Sequence, residues 1–295
     1  VSSLIPGVNA PFKGYSKIVQ LNATALERYN SCKLDFYRSE VFSDSACFQK
    51  KIKGGINLVL GSCTHSVVER FLTEYQNNAT IGCDRLLLIY QQVIKNYKLP
   101  KDLLLLGLGR LKQFYQYFIE EQHYPLSAEE IEFSVETTVK YKKLKVRLAG
   151  RIDFLNKVDD KVDVVDWKFN KLPKLKKNGR DRVIGYYQLA IYAYLLNRKD
   201  LGRLICFYIN PEGVEEFSWE YGRQARIDVQ ELYTEVLDKI AADYKYPWEW
   251  EPIKNEYCTS CYTRKCKLCP LFGGALPSEY ELEESDGIRK WKELL

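Results

Sequence analysis

Asp166-Trp167-Lys168 closes an otherwise apolar run, VDVVDWKF, and is the strongest candidate for chemistry in the chain. Successive side chains of a strand face opposite ways. Asp166 and Lys168 therefore share one side, and Val165, Trp167 and Phe169 the other. Thirteen residues before Asp166 stands Asp153, in Gly150-Arg151-Ile152-Asp153. The link NKVDD at 156–160 is short enough to predict an antiparallel hairpin, which sets Asp153 beside the Asp166–Lys168 pair. Gln188 and Tyr192, further on, are four apart and share one helix face. Two carboxylates brought close repel unless a cation lies between them. A hard divalent ion such as Mg²⁺ or Mn²⁺ suits such oxygen ligands. It acidifies a bound water and stabilises charge on a phosphate oxygen. Lys168 would then orient or help activate that water, or neutralise the developing charge. A lone Asp-x-Lys is more often a strand-end salt bridge, but the company of Asp153, Gln188 and Tyr192 favours a site.

His65 lies in GSCTHSVVERF on a stripe with Val68 and Leu72. A histidine there is either a hydrogen-bonded core residue or a ligand. His123, in EEQHYP at a helix end, reads as structural. Glu132 and Glu136, on the strand before Asp153, either add a carboxylate to the site or face solvent. Cys258-x2-Cys261-x4-Cys266-x2-Cys269 packs four thiols into twelve residues, and thiolates select zinc or iron–sulfur clusters. Zinc held by all four is one reading, although the inner gap of four is tighter than in paired zinc motifs. Cys47, Cys63, Cys83 and Cys206 read as ordinary thiols, with Cys63 and Cys206 buried. KLPKLKKNGRDR at 171–182 follows the Asp-Trp-Lys strand directly. It is either a solvated loop or a contact for backbone phosphates.

Positioning these residues needs a sheet with helices. Apolar periodicity predicts helices over 23–40 in part, 60–76, 84–97, 101–123, 182–198 and 223–243. Strands are predicted at 131–140, 144–156, 161–169, 202–210 and 214–221, the last two meeting at NPEG. The order implies an α/β (α+β) core around one mixed sheet. With 295 residues, 46% hydrophobic and 28% charged, a real core is expected and wholesale disorder excluded. No apolar run is long enough to span a bilayer, so no membrane partner is expected. The start, VSSLIPGVNAPFKG, lacks the pattern of a secretory signal. Together with nine cysteines, this predicts a reducing, cytoplasmic setting. The net charge of +5 is compatible with a polyanionic partner.

At these motifs the chain resembles the RecB-like branch of the PD-(D/E)XK nuclease superfamily. It is similar to the CRISPR-associated RecB-like nucleases and to the AddB nuclease domain. His65, Asp153 in GRID, Asp166 and Lys168 in DWK, and Gln188 and Tyr192 in QLAIY match in the family's order. The resemblance implies a restriction-endonuclease-like fold, with an N-terminal helical part and a C-terminal Cys cluster. It implies metal binding by His65, Asp153 and Asp166, with Trp167 at the metal site. Lys168 is implied to be catalytic, and Gln188 and Tyr192 to line the site and contact DNA. Cys32, in ERYNSCKLDFY, resembles the distant cysteine of relatives that hold a [4Fe–4S] cluster. Its implied companions are Cys258, Cys261 and Cys266, with Cys269 a close rival to Cys266.

The expected organisation is one nuclease domain over 1–270. It comprises a mainly helical part at 23–125, a catalytic core at 131–243 and the cluster at 258–269 closing onto Cys32. A tail follows at 271–295. The expected activity is Mg²⁺- or Mn²⁺-dependent cleavage of DNA, as a single-strand-preferring exonuclease in repair, recombination, replication or CRISPR adaptation. An endonuclease or RNase of the same fold, and a weakly catalytic DNA-binding accessory subunit, remain alternatives. No G-x-x-x-x-G-K-[ST] occurs in the sequence, so any helicase, like a recombination or CRISPR protein, would be a separate partner.

Overall fold

The computed structural model describes residues 19–36, 56–141, 144–170 and 188–243. The cysteine cluster at 258–269, the basic stretch at 171–182, Cys47 and the tail at 271–295 lie outside the described residues. In chain order the elements begin with β1 (Val19–Leu21), α1 (Ala23–Ser31), α2 (Lys33–Phe36), α3 (Ile56–Asn77) and α4 (Cys83–Ile94). Next come α5 (Lys101–Tyr115) with a π-helical turn at Gln116–Glu120, β2 (Ala128–Tyr141), β3 (Leu144–Val158) and β4 (Lys161–Lys168). The rest are α6 (Gln188–Leu196), β5 (Leu201–Asn210), β6 (Gly213–Glu220) and α7 (Arg223–Asp243). The sheet is mixed and flanked by helices, as the order of elements predicts.

The chain divides into two compact units, each discontinuous in sequence. The first takes β1, α1, α2, the end of β2, the start of β3 and α7 from Asp228 onward. Here β1 runs parallel to β3, with Val19 opposite Val146 and Leu21 opposite Leu148. Asn22 caps α1: its Oδ1 accepts the Ala25 N–H at 2.8 Å, satisfying one of the open donors of the first turn. Cys32 sits at the junction of α1 and α2, buried together with Tyr29 and Phe36.

The second unit holds α3 to α5, the start of β2, the rest of β3, β4, α6, β5 and β6. Its strands run β3-β4-β5-β6, and β2 pairs with β3. The β3–β4 hairpin is antiparallel, with Val158 opposite Lys161. Its link is Asp159-Asp160, and Asp159 takes a φ of 52°, which aspartate tolerates in a tight turn. β4 and β5 are parallel and so need a crossover, which carries α6. β5 and β6 meet at the NPEG turn, where Asn210 Oδ1 accepts the Glu212 N–H at 2.9 Å.

One face of this sheet, including Val165, Trp167, Phe169 and Phe207, is buried with the apolar sides of α3, α4 and α5. Trp167 stacks on Phe207 at 5.5 Å between ring centres and meets the edges of Phe114 and Phe118. The helix predicted over 101–123 is α-helical only to Tyr115. The wider π turn that follows puts Phe118 against Trp167 and Tyr117 against Phe207. α6 packs on β4 and β5. Among the described residues no helix is long and apolar enough to cross a membrane.

β4 also buries Asp163, whose carboxylate is fully engaged. Its Oδ1 accepts the Arg203 main-chain N–H at 2.8 Å. Its Oδ2 accepts Arg203 Nη2 at 2.8 Å and the Tyr124 hydroxyl at 2.9 Å. Gly202 makes room for this, since a Cβ there would stand 2.6 Å from Asp163 Oδ1. Removing one partner of such a network strands the others. Asp163→Ala is expected to cost about 3 kcal/mol of stability in urea denaturation, the low end for a buried pair because the Arg203 side chain is 30% exposed.

Candidate active site

Apart from Glu136, every described residue that the sequence nominates for cleavage chemistry lies in the second unit. His65 comes from α3, Asp153 from β3, Asp166, Trp167 and Lys168 from β4, and Gln188 and Tyr192 from α6. The β3–β4 ladder ends at Phe154 opposite Val165. Beyond it a side chain takes over, and Asp153 Oδ2 accepts the Trp167 N–H at 2.8 Å. Trp167 thus enters the site through its main chain while its indole lies in the aromatic core. The alternation expected of β4 is seen: Trp167 and Phe169 join the core, and Asp166 and Lys168 form an ion pair, with Lys168 Nζ 2.6 Å from Asp166 Oδ2.

From that pair a hydrogen-bond chain leads back to β3. Lys168 Nζ donates to Gln188 Oε1 at 2.7 Å, and Gln188 Nε2 donates to the Tyr192 hydroxyl at 2.8 Å. The Tyr192 hydroxyl in turn donates to the Arg151 carbonyl. Spacing four apart on α6 is what lets Gln188 and Tyr192 act in series. His65 stands at the edge of the buried stripe of α3. Its Nδ1 is 3.6 Å from Asp153 Oδ2, and its ring meets Phe169 edge-on at 5.1 Å.

The two glutamates left open by the sequence part company. Glu136 is exposed, belongs to the first unit and pairs with Arg147. Glu132 is largely buried, pairs with Arg151 Nε and lies close to His65 and Asp153. His123 is exposed and pairs with Glu121. Two contacts escape sequence reasoning altogether. Arg151 reaches Glu69 on α3, 82 positions away, at 3.5 Å. Cys206, buried on β5, brings its Sγ to 3.8 Å from Asp166 Oδ2. Only the parallel pairing of β4 and β5, with Asp166 opposite Cys206, creates the second.

The electrostatics follow from crowding. Burial, and then the charge of Asp166, hold the Asp153 carboxyl well above the ordinary range. Burial and Asp153 push Glu132 up to about 7. Burial depresses His65, which favours the neutral imidazole that a ligand must be. Burial opposes the charge of Lys168, but Asp166 and Asp153 outweigh it and hold the ammonium above its usual range. Burial, reinforced by Asp166, raises both Tyr192 and Cys206.

These groups fit a hard divalent cation. His65, Glu132 and Asp153 each offer a ligand atom, all within 4.8 Å of one another. Asp166 Oδ1 is buried and has no hydrogen-bond partner among the described residues. A carboxylate oxygen orphaned in a low-dielectric site is costly unless an ion uses it. One imidazole among carboxylates is a donor set suited to Mg²⁺ or Mn²⁺.

The sequence profile of the PD-(D/E)XK nuclease superfamily matches residues 20–270. With this fold, and with a match over most of its length, the chain belongs to that superfamily. The solved structures that resemble it include these two. SSO0001 shares 16% identity, with 88% of this chain and 90% of that one covered at a TM-score of 0.42. A candidate exonuclease from Eubacterium rectale shares 12% identity, with 84% and 88% covered at a TM-score of 0.48. No curated protein matches the chain.

The series Lys168–Gln188–Tyr192 gives a direct test of the geometry. Tyr192→Phe deletes the hydroxyl that accepts from Gln188 and donates to Arg151. Chemical denaturation should show a loss of about 1 kcal/mol, the cost of leaving those part-buried partners unsatisfied.

Proposed function

We propose that the chain is a divalent-cation-dependent deoxyribonuclease of the RecB-like kind, an exonuclease that prefers single-stranded DNA. One observation carries the reading: His65, Asp153, Asp166 and Lys168, from three elements of a PD-(D/E)XK chain, converge where one carboxylate oxygen has no hydrogen-bond partner among the described residues. His65, Asp153 and Asp166 hold Mg²⁺ or Mn²⁺, with Trp167 contributing through its main chain. When bound, such a cation acts as a Lewis acid toward a phosphate oxygen and acidifies water.

The chain's own groups do the rest. Lys168, ion-paired with Asp166, is a charged donor. It holds the oxygen of an attacking water and offsets negative charge that grows on the phosphate. Gln188 fixes the Lys168 ammonium, and Tyr192 ties Gln188 to the β3 backbone. The same two residues offer an amide and a phenol to an incoming strand. Residues 171–182, which carry six Lys and Arg against one Asp, contact backbone phosphates. Binding should therefore weaken steeply with salt.

The nominated cysteines complete the reading. Cys32 joins Cys258, Cys261 and Cys266, with Cys269 the rival to Cys266, in a [4Fe–4S] cluster of structural role; zinc on the four C-terminal thiols is the competing occupant. A crosslink over 226 positions restricts the unfolded chain as a disulfide does. Thiol-borne iron–sulfur chemistry suits a reducing, cytoplasmic compartment, and a helicase or a recombination or CRISPR protein is the natural companion.

Asp166→Ala and Lys168→Ala should each lower cleavage of end-labelled single-stranded DNA with Mg²⁺ or Mn²⁺ by ~10²-fold or more, with the fold intact by circular dichroism. Near-normal rates in either variant would overturn the assignment, and efficient cutting of a closed single-stranded circle would overturn the exonuclease reading. For the cluster, Cys32→Ala should lose iron on anaerobic purification, with lower stability and an indirect loss of activity. Stoichiometric zinc without acid-labile sulfide, or full iron retention in the variant, rules the cluster out.

A further inference from the structure

Glu132 lies within strand β2, yet its φ is 52°. In that left-handed region the Cβ of a non-glycine residue crowds the backbone, and long side chains rarely adopt it. Such a conformation persists only where the surroundings fix it. Its effect here is visible in the neighbours. Glu130 and Ser134, two positions to either side and thus on the same face of a regular strand, are exposed. The Glu132 side chain is only 10% exposed. The irregular residue takes one carboxylate out of a solvent-facing row and sets it beside His65 and Asp153, a ligand atom of each lying within 4.8 Å of the others.

Pairing with Arg151 does not account for this placement. The Arg151 side chain is 60% exposed, and its guanidinium also reaches the half-buried Glu69. An ion pair with so exposed a partner offsets little. It leaves unexplained why a further carboxylate is buried next to Asp153, whose own charge is already opposed by Asp166. A divalent cation resolves the crowding, because it converts mutual repulsion of carboxylates into shared attraction.

We infer that Glu132 is a further protein ligand of the cation site, delivered by the irregular backbone of β2. The inference rests on the reading that His65, Asp153 and Asp166 bind a divalent cation, and it adds a carboxylate from a fourth element. Arg151 then balances the Glu132 charge from the solvent side.

Calorimetric titration of Mn²⁺ into the full chain tests this without reference to cleavage. Mn²⁺ is the probe because, unlike zinc, it does not seek the C-terminal thiolates. Parallel thermal melts in the absence of added metal accompany the titrations of wild type, Glu132→Gln and Asp153→Asn. Glu132→Gln keeps the size of the side chain and removes a crowded charge, so its melting temperature should stay level or rise. Its Mn²⁺ affinity should fall by at least ~10-fold, the lower end of what even an outer partner of a metal ligand is worth. Asp153→Asn should also lose Mn²⁺ binding. Unchanged Mn²⁺ affinity in Glu132→Gln beside a loss in Asp153→Asn would overturn the inference and leave the site standing. Unchanged affinity in both variants would overturn the site itself, and Glu132 with it.

Discussion

Two aspartates, Asp153 and Asp166, are buried side by side, and much of the second unit is arranged around that fact. In a medium that solvates charge poorly, adjacent carboxylates are tolerated only if cations offset them. Lys168 is the resident offset. It pairs with one oxygen of Asp166, and the Gln188–Tyr192 series keeps it there. Asp153 spends one oxygen on the Trp167 N–H, where the β3–β4 ladder has run out. What remains is a crowded group of carboxyls with an imidazole at its edge, a donor set that fits a divalent cation.

β4 shows how stability and chemistry share one strand. Its two buried aspartates are three positions apart and so face opposite ways. Asp163 is satisfied on both oxygens by Arg203 and Tyr124, and behaves as structure. Asp166 keeps an oxygen with no hydrogen-bond partner among the described residues. The contrast separates a carboxylate that holds the sheet together from one with an oxygen left over. Next to Asp166, Trp167 anchors the strand. Its ring, clamped by Phe114, Phe118 and Phe207, fixes the orientation of Asp166 and Lys168 on either side of it, because a strand cannot rotate one side chain's face without its neighbours'.

Much of this was legible in the residues. The period-two pattern of VDVVDWKF assigned the faces of β4, the short NKVDD link brought β3 back beside it, and the four-residue spacing joined Gln188 to Tyr192. These are local rules, set by backbone geometry over a few residues. The end of the helix predicted over 101–123 was not legible. Its last turn widens where Tyr117 and Phe118 meet the rings of Phe207 and Trp167, which arrive from far along the chain.

The sequence by itself determined the kinds of element, their order, the mixed sheet and the set of residues able to meet in one site, because hydrophobic period and turn chemistry act at short range. Tertiary structure alone decided which of two similar glutamates matters. Glu132 and Glu136 carry the same side chain four positions apart on one strand. A left-handed backbone at Glu132 and the approach of His65 from α3 set one beside His65 and Asp153, while Arg147 holds the other in solvent. It also decided that Cys206 would lie beside Asp166, through the parallel pairing of β4 with β5. Contacts of this kind join residues tens of positions apart. They depend on how separate elements pack, and no local pattern encodes that.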